Sequence, residues 1–422
     1  MSDATSGQGP NVSRRRFIQA VGTTAASVAA GLHIGAPARA QSRSANGRLG
    51  VGFIGCGGRM GAHIGAVQQL KNEGQPLDLV AVSDVYKPRV DAAVQATGGK
   101  PYRDYRELLE DRHVDLVCIA SPDRHHGPQA LDAVEAGKHV YCEKPMTHWS
   151  QFEVAKKLAR RVKERGVAFQ LGTQRLADSI WRQGAELIRQ GVIGKPLHAQ
   201  VGYYRQGDWG ERGMPILDPS AKPGPDLDWK AFLGDAPEVE FSVQRFFCWR
   251  MYLDYAGGPP TDLYPHVFTP LATVLGLGMP TRVSAAGGKL FYNHEREVPD
   301  TVNILMDYPQ GLTVACMGTQ VNAWEMEWVI RGAEGTMTFS GPGIQIFPAD
   351  GRREPVKEVA REASGDVREM WLNLIECIHS GGKPWSPVDM GYCVQTAMNM
   401  GMLSLFEGKT AHFDTDRERI RI

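Results

Sequence analysis

Leu49-Gly-Val-Gly-Phe-Ile54 runs straight into Gly55-Cys-Gly57-Gly58-Arg59-Met60-Gly61. A short apolar run that ends in closely spaced glycines and opens onto a helical stretch is the first unit of a dinucleotide-binding fold. Gly55 permits the tight turn, and Gly57 lets the backbone approach a pyrophosphate. The helix that follows offers unpaired N–H groups to phosphate oxygens. Gly58, Arg59 and Met60 belong to the same turn; the third glycine of the strict spacing falls on Met60, with Gly61 one position later. Asp84 stands 23 residues past Gly61, at the end of the next apolar run, where a carboxylate binds ribose hydroxyls. Its charge favours NAD and repels a 2′-phosphate, while Lys87 and Arg89 close behind leave NADP open.

The alternation of strand and helix continues downstream. Leu79–Ser83, Val114–Ala120, His139–Cys142 and Val167–Leu171 are short apolar runs. Between them Gly61–Lys71, Gln129–Glu135 and Gln151–Arg165 carry apolar residues at spacings of three and four, the helical period. Buried runs separated by helices predict parallel strands with right-handed crossovers, hence an α/β doubly wound sheet over residues 48–170.

Beyond residue 170 the texture changes. After a helix at Ile180–Gln190, strand-like segments dominate: His198–Tyr204, Thr281–Gly287, Thr301–Asp307, Leu312–Thr319, Glu327–Arg331 and Thr336–Phe339. They predict a largely antiparallel sheet in a second α/β domain over 171–415, with amphipathic helices at Glu369–His379 and Tyr392–Phe406. The Pro/Gly/Asp-rich stretch Gln206–Pro237 is too long for an ordinary connection and reads as a binding loop or partner-contacting arm.

The first 40 residues are set apart. Arg14-Arg15-Arg16 precedes a weakly apolar stretch from Ala20 to Ala36, and Ala38-Arg39-Ala40 supplies small residues at a cleavage site. This predicts a removable twin-arginine signal, hence the Tat export machinery as a partner and a periplasmic or otherwise exported protein with no stable membrane insertion. With 47 basic and 47 acidic residues the chain has no electrostatic footprint for nucleic acid. Seven cysteines without a CxxC spacing read as buried thiols, and no metal site is indicated.

Four ordered motifs carry a resemblance to a known family. They are the glycine turn, Ala120-Ser-Pro-Asp-Arg-His-His126, Gly137-Lys-His-Val-Tyr-Cys-Glu-Lys-Pro145, and Gly257-Gly258 ahead of Asp262 and His266. From about residue 48 to 415 the chain resembles the glucose-fructose oxidoreductase, inositol dehydrogenase and rhizopine-catabolism (Gfo/Idh/MocA) oxidoreductases. The resemblance implies an N-terminal dinucleotide-binding domain and a C-terminal domain whose open sheet mediates homo-oligomerisation. By matching position, Lys144 is the active-site lysine, His266 the acid/base and Asp262 its neighbour. Ser121, Pro122, His126 and Glu143, with Lys144, fall on the cofactor side. The usual third glycine before the aspartate is Pro259 here, and Pro265 precedes His266, which puts the substrate rather than the chemistry in doubt.

The residues make a chemical case of their own. Oxidising a secondary alcohol requires hydride transfer to nicotinamide and removal of the hydroxyl proton. A neutral histidine takes such a proton near pH 7. Lys144 can donate to the substrate oxygen and stabilise a developing alkoxide. A spacing of four places Asp262 and His266 on one face if the segment is helical. For a sugar, Gln174 and Arg175 supply hydrogen bonds, as a strand-to-helix turn also would. Arg250 and Tyr255, in Trp249-Arg-Met-Tyr-Leu-Asp-Tyr255, supply polar groups beside aromatic planes, or else belong to an aromatic core stripe. His126 equally suits a helix cap.

The sequence therefore predicts an exported NAD(P)-dependent oxidoreductase acting on a sugar or polyol, its cofactor loaded before export and held tightly. Two rivals remain open. One is an NAD-dependent glycoside hydrolase that oxidises, eliminates and reduces again, a branch that Gly172-Thr-Gln-Arg175 resembles. The other is a sugar-binding protein without turnover.

Overall fold

In the computed structural model, which describes residues 47–207, 215–292 and 295–422, the Leu49–Ile54 run is β1, buried along its whole length. The expected signal, residues 1–40, lies outside the described residues. From β1 the chain passes through α1 (Gly58–Asn72), β2 (Leu77–Ser83), α2 (Lys87–Thr97), β3 (Lys100–Tyr102) and α3 (Tyr105–Glu110). It continues through β4 (Leu116–Ile119), α4 (Asp123–Glu135), β5 (His139–Glu143), α5 (Phe152–Arg165) and β6 (Phe169–Gly172). These strands form a parallel sheet in the order β3-β2-β1-β4-β5-β6, the doubly wound arrangement whose crevice opens where the order reverses beside β1.

Local sequence explains the elements. In α5 the buried residues Ala155, Leu158, Ala159 and Val162 recur at three and four, and Gly166 ends the helix in the left-handed conformation. Each fully buried leucine or valine on such a face stabilises the fold by roughly 1.5–3 kcal/mol. β3 was not foreseen: Lys100-Pro-Tyr102 is a short edge strand with a proline and no apolar alternation. α4 begins six residues earlier than its apolar period, because Pro122 and the polar Asp123-Arg-His-His126 form its first turn.

The second sheet has ten strands and one parallel pair. After α6 (Ser179–Arg189) come β7 (Pro196–Tyr204), α7 (Trp229–Leu233), α8 (Val243–Phe247), α9 (Pro259–Asp262), α10 (Tyr264–Leu275), β8 (Arg282–Gly288), β9 (Thr301–Tyr308) and β10 (Leu312–Thr319). They are followed by β11 (Val329–Gly332), β12 (Gly335–Ser340), β13 (Gly343–Pro348), β14 (Lys357–Ala360), α11 (Val367–Ser380), α12 (Val388–Glu407), β15 (Ala411–Asp414) and β16 (Arg419–Arg421). The order is β14-β13-β12-β11-β7-β10-β9-β8-β15-β16, antiparallel except for β7 against β10. β9 shows the reason for its placement: Val302, Ile304, Met306 and Tyr308 are buried while Asn303 and Leu305 face outward. The fold is thus the expected α/β combination of a parallel sheet and a large, mostly antiparallel one.

One apolar core runs through both parts, from Leu49, Val51 and Phe53 of β1 to Val302 and Ile304 of β9 and Trp371 of α11. A separate core gathers Tyr86, Leu227, Phe232, Phe246 and Tyr255 under the long 215–241 stretch. The seven cysteines form no disulfide.

Candidate active site

The carboxyl ends of the parallel strands converge on a cleft of about 2020 Å³. A pocket for one small ligand spans roughly 300–1,000 Å³, so this cleft has room for a dinucleotide and a substrate together. At its base lies the glycine turn. Gly55 has φ +81, and a Cβ there would meet Ser121 N at 2.6 Å, so the turn and the β4 end are packed backbone to backbone. A Cβ at Gly57 or Gly58 would meet nothing within 4 Å. α1 starts there without a side-chain cap. That combination of an uncapped fifteen-residue helix and an empty approach fits a pyrophosphate.

Asp84 is buried beside this turn and accepts from Cys56 N (2.7 Å) and Tyr86 N (2.9 Å). Burial raises its pKa, with Arg89 and the backbone donors opposing the rise. The carboxylate thereby ties the glycine turn to the end of β2. Lys87 pairs with Asp91, and the Arg89 guanidinium lies 5.0 Å from the Phe246 ring.

Glu143 and Lys144 leave β5 side by side and face different partners. Glu143 Oε1 accepts from Arg59 Nε (2.9 Å), His63 Nε2 (2.8 Å) and Gln174 Nε2 (2.7 Å). Trp371 Nε1 donates to His63 Nδ1 at 3.1 Å, which leaves the His63 proton on Nε2, toward Glu143. Trp371 also stacks on Tyr141 with ring centroids 5.0 Å apart. Burial raises the Glu143 pKa, but Arg59, His63 and Lys144 more than offset it and hold the group well below the carboxylate range. His126 is buried with Nδ1 2.7 Å from Pro145 O and Nε2 2.8 Å from Ser121 O, tying the β4 and β5 ends together. Burial pushes its pKa down.

Lys144 Nζ donates to Asp262 O (2.6 Å) and Asp262 Oδ1 (3.0 Å). Arg250 Nε lies 3.2 Å from Oδ1 and an Arg205 terminal nitrogen 3.6 Å from Oδ2. Burial raises the Asp262 pKa, yet Lys144, Arg250 and Arg205 outweigh it, so this carboxylate stays charged far into acid. Three cations on one buried carboxylate make a fixed cluster at the junction of the two sheets.

Asp262 and His266 do not share one uninterrupted helix. Pro259, Pro260 and Pro265 split the segment into α9 and α10 at Leu263, and Gly258 (φ +67) sits so close to Pro299 O that a Cβ would lie 2.5 Å away. Asp262 turns to Lys144, while His266 lines the cleft wall, its ring centroid 6.4 Å from that of Tyr203. Burial, then Lys144, pushes the His266 pKa down to about 3. The shift favours the neutral ring, the form in which a histidine can accept a proton, and moves its pKa away from the working pH expected from the sequence.

Of the other residues singled out in the sequence, Gly55, Gly57, Gly58, Arg59, Met60, Asp84, Ser121, Pro122, His126, Glu143, Gln174 and Arg250 line the same cleft. Arg175 and Tyr255 are not among its lining residues. Arg175 is exposed at the edge, its guanidinium 5.0 Å from the Trp328 ring and 5.9 Å from that of Tyr203, which lines the cleft, and its charge helps to lower the His266 pKa. Tyr255 is fully buried against Phe232, the core-stripe alternative.

Sequence reasoning missed His63, Tyr203, Arg205 and Asp123. Arg205 had one signal, a cation at the end of a predicted strand. Asp123 is 2% exposed beside the cluster, and burial raises its pKa to about 6 against the pull of Arg250 and Lys144.

Comparison with known proteins adds an independent line. Residues 49–173 match the family described as oxidoreductase family, NAD-binding Rossmann fold, and residues 232–338 match the GFO/IDH/MocA C-terminal domain. Among curated relatives, the chain is 36% identical over 121 residues to the NAD(+)-dependent scyllo-inositol 2-dehydrogenase of Bacillus subtilis (strain 168), covering 28% of this chain and 35% of that one. It is 28% identical over 231 residues to an alpha-N-acetylgalactosaminidase of Shewanella oneidensis, covering 47% of each. The chain thus spans between about a third and a half of these relatives' lengths. The fold is similar to the WlbA dehydrogenase of Bordetella pertussis in complex with NADH and UDP-GlcNAcA, with TM-score 0.66, 21% identity, and coverage of 87% of this chain and 100% of that one. The two family matches together take in more than half of the chain, and on that ground the chain belongs to the GFO/IDH/MocA family of NAD-binding oxidoreductases.

Proposed function

We propose that this protein oxidises or reduces a hydroxyl of a sugar or polyol with NAD as hydride carrier. The observation that carries the reading is the Lys144–Asp262 contact, which places a buried ammonium beside neutral His266 in the same cleft as the open glycine turn. NAD, when bound, supplies the hydride acceptor at the reacting carbon. Lys144 donates to the substrate oxygen and stabilises the charge that develops there, and Asp262 with its two arginines holds that ammonium in place. His266 Nδ1 or Nε2 accepts the hydroxyl proton as the carbon–hydrogen bond breaks. Gln174 and Arg250 lie on the wall where further hydroxyls would be held. Scyllo-inositol for the Bacillus relative and UDP-GlcNAcA for the Bordetella WlbA dehydrogenase support this substrate class.

The proposal extends to export through the twin-arginine route, on the sequence signal alone, to a cofactor loaded before export and tightly retained, and to a homo-oligomer. A second reading, glycoside cleavage through transient oxidation, draws on the similarity to the galactosaminidase, which extends past the first domain. The experiment is to denature purified protein, identify the released nucleotide by mass spectrometry, and then offer the intact protein a panel of polyols, sugars and nitrophenyl glycosides. Reduction of bound NAD at 340 nm supports the dehydrogenase; nitrophenol release without net NADH supports the hydrolase. Nucleotide-free protein that binds sugars without turnover would overturn both.

A further inference from the structure

The motifs that predict NAD binding all lie in the first domain, yet the cleft has a wall they do not supply. Pro215, Leu217, Asp218, Asp228 and Lys230 line it from the long stretch that follows β7. This stretch crosses back to the end of β2, next to Asp84, where the adenosine ribose of a dinucleotide sits.

Its attachment is built at several levels. Asp228 N donates to Val85 O (2.9 Å) and Lys87 N to Asp226 O (2.8 Å), so residues on either side of Tyr86 are tied by backbone bonds. Tyr86 Oη donates to Asp218 Oδ2 at 2.7 Å. Arg103 donates to Pro225 O (2.9 Å) and Gly224 O (3.0 Å). Underneath, Ala221, Leu227, Phe232 and Leu233 are buried in the same small core as Tyr86. One group stands out: Leu217, beside the tethered Asp218, is 76% exposed on the rim of the cleft. An apolar side chain left bare at the mouth of a cleft that is also lined by a guanidinium (Arg89) aligned on aromatic rings is suited to the face of a purine.

We propose that residues 215–230 form the outer wall of the adenosine subsite, so that NAD is bound by both domains and its residence time is set by the tethers on Tyr86 and Arg103. This rests on the reading of the cleft as an NAD site. It gives that site a structural means of retention that the glycine turn lacks.

The test compares NAD with nicotinamide mononucleotide, which shares the reacting half and lacks adenosine. Full-length protein carrying labelled NAD is chased with excess unlabelled NAD, and release is followed by filtration. Tyr86→Phe with Arg103→Ala removes three hydrogen bonds and keeps the aromatic packing; Leu217→Ser alters only the rim. Each is expected to speed NAD release about tenfold, the equivalent of ~1.4 kcal/mol, while affinity for the mononucleotide stays within about twofold. Release unchanged in both variants, with NAD bound one to one, overturns the wall and leaves the cofactor assignment standing. Equal weakening of NAD and mononucleotide also overturns it, since that is the signature of general damage. Parent protein that binds neither nucleotide overturns the underlying reading itself.

Discussion

Two glycines two positions apart should fail in opposite ways. At Gly55 a Cβ needs φ +81 and would sit 2.6 Å from Ser121 N, 2.7 Å from Ser121 Cα and 2.9 Å from Ala120 C. The left-handed conformation alone costs a non-glycine residue about 1–2 kcal/mol, and an overlap that moves backbone adds roughly 1–3 kcal/mol. Gly55→Ala is thus expected to lose about 2–5 kcal/mol of stability, roughly 3–8 °C in Tm for a chain of this size. Gly57 is extended (φ −73, ψ −171) and faces open space, so Gly57→Val leaves Tm within about 2 °C. Its branched side chain instead occupies the approach to the N-terminus of α1. Losing two charge-assisted N–H contacts to phosphate removes about 3–6 kcal/mol of binding, an increase in Kd of at least about 10²-fold. Thermal melts and NAD titration by calorimetry on both variants decide the matter. Unchanged NAD affinity in Gly57→Val would refute the placement of the pyrophosphate, and an unchanged Tm in Gly55→Ala would refute the packing argument.

Other perturbations give equally direct outcomes. Lys144→Ala and His266→Ala are each expected to lower single-turnover hydride transfer by about 10²-fold or more with NAD affinity nearly intact, and normal turnover in either removes its assigned role. Asp123 has a folded pKa raised to about 6, so the stability it contributes is present below pH 4 and lost as pH rises through 6. Asp123→Asn should gain about 1–3 kcal/mol at pH 8 and nothing at pH 4, as read from urea melts. His139 and His148 are buried with pKa values pushed down by burial to about 4 and about 3. Their contribution is present above pH 6.5 and declines as pH falls toward those values, by about 3 kcal/mol for His139 and about 5 kcal/mol for His148 in full. His148→Gln should flatten the acid limb of the stability curve, and an unaltered limb would show that His148 does not titrate with unfolding.

The fold class was legible because the deciding residues are neighbours in sequence. β1, the glycine turn and α1 occupy one unbroken stretch, and the alternation of buried runs with helical periods repeats it. β9 and β10 announced themselves by alternation. What escaped was either short or at an edge: Lys100–Tyr102, the β13–β16 margin and the single-turn helices α7 to α9 bury too little to impose a pattern. The cleft divides in the same way. Residues at strand ends, such as Ser121, Glu143 and Lys144, were placed by their strands. His63 and Arg205 matter only because a distant element approaches them, and no local pattern records that. Tyr255 went into the core and Arg175 to the edge of the cleft for a related reason: an aromatic run does not say which ring faces the cleft, and the turn after β6 gives the inward position to one of two adjacent polar residues.

The Trp371 contact has a bearing on how the chain is made. Its indole, on a helix near the carboxyl end, stacks on Tyr141 and completes the hydrogen bonding of His63 inside the first domain. A ribosome delivers β1 to β6 long before α11 emerges. Until then His63 and Glu143 form a buried acid–base pair missing the group that fixes the imidazole proton, under a gap as large as a tryptophan. The nascent first domain therefore acquires its parallel sheet early and its settled interior last. A truncated chain ending before residue 367 should bind a dye that reports exposed apolar surface, which the complete protein does not. Synthesis and maturation of the cofactor site are thereby placed in order, with α11 supplying from the second domain a group that the first domain cannot provide for itself.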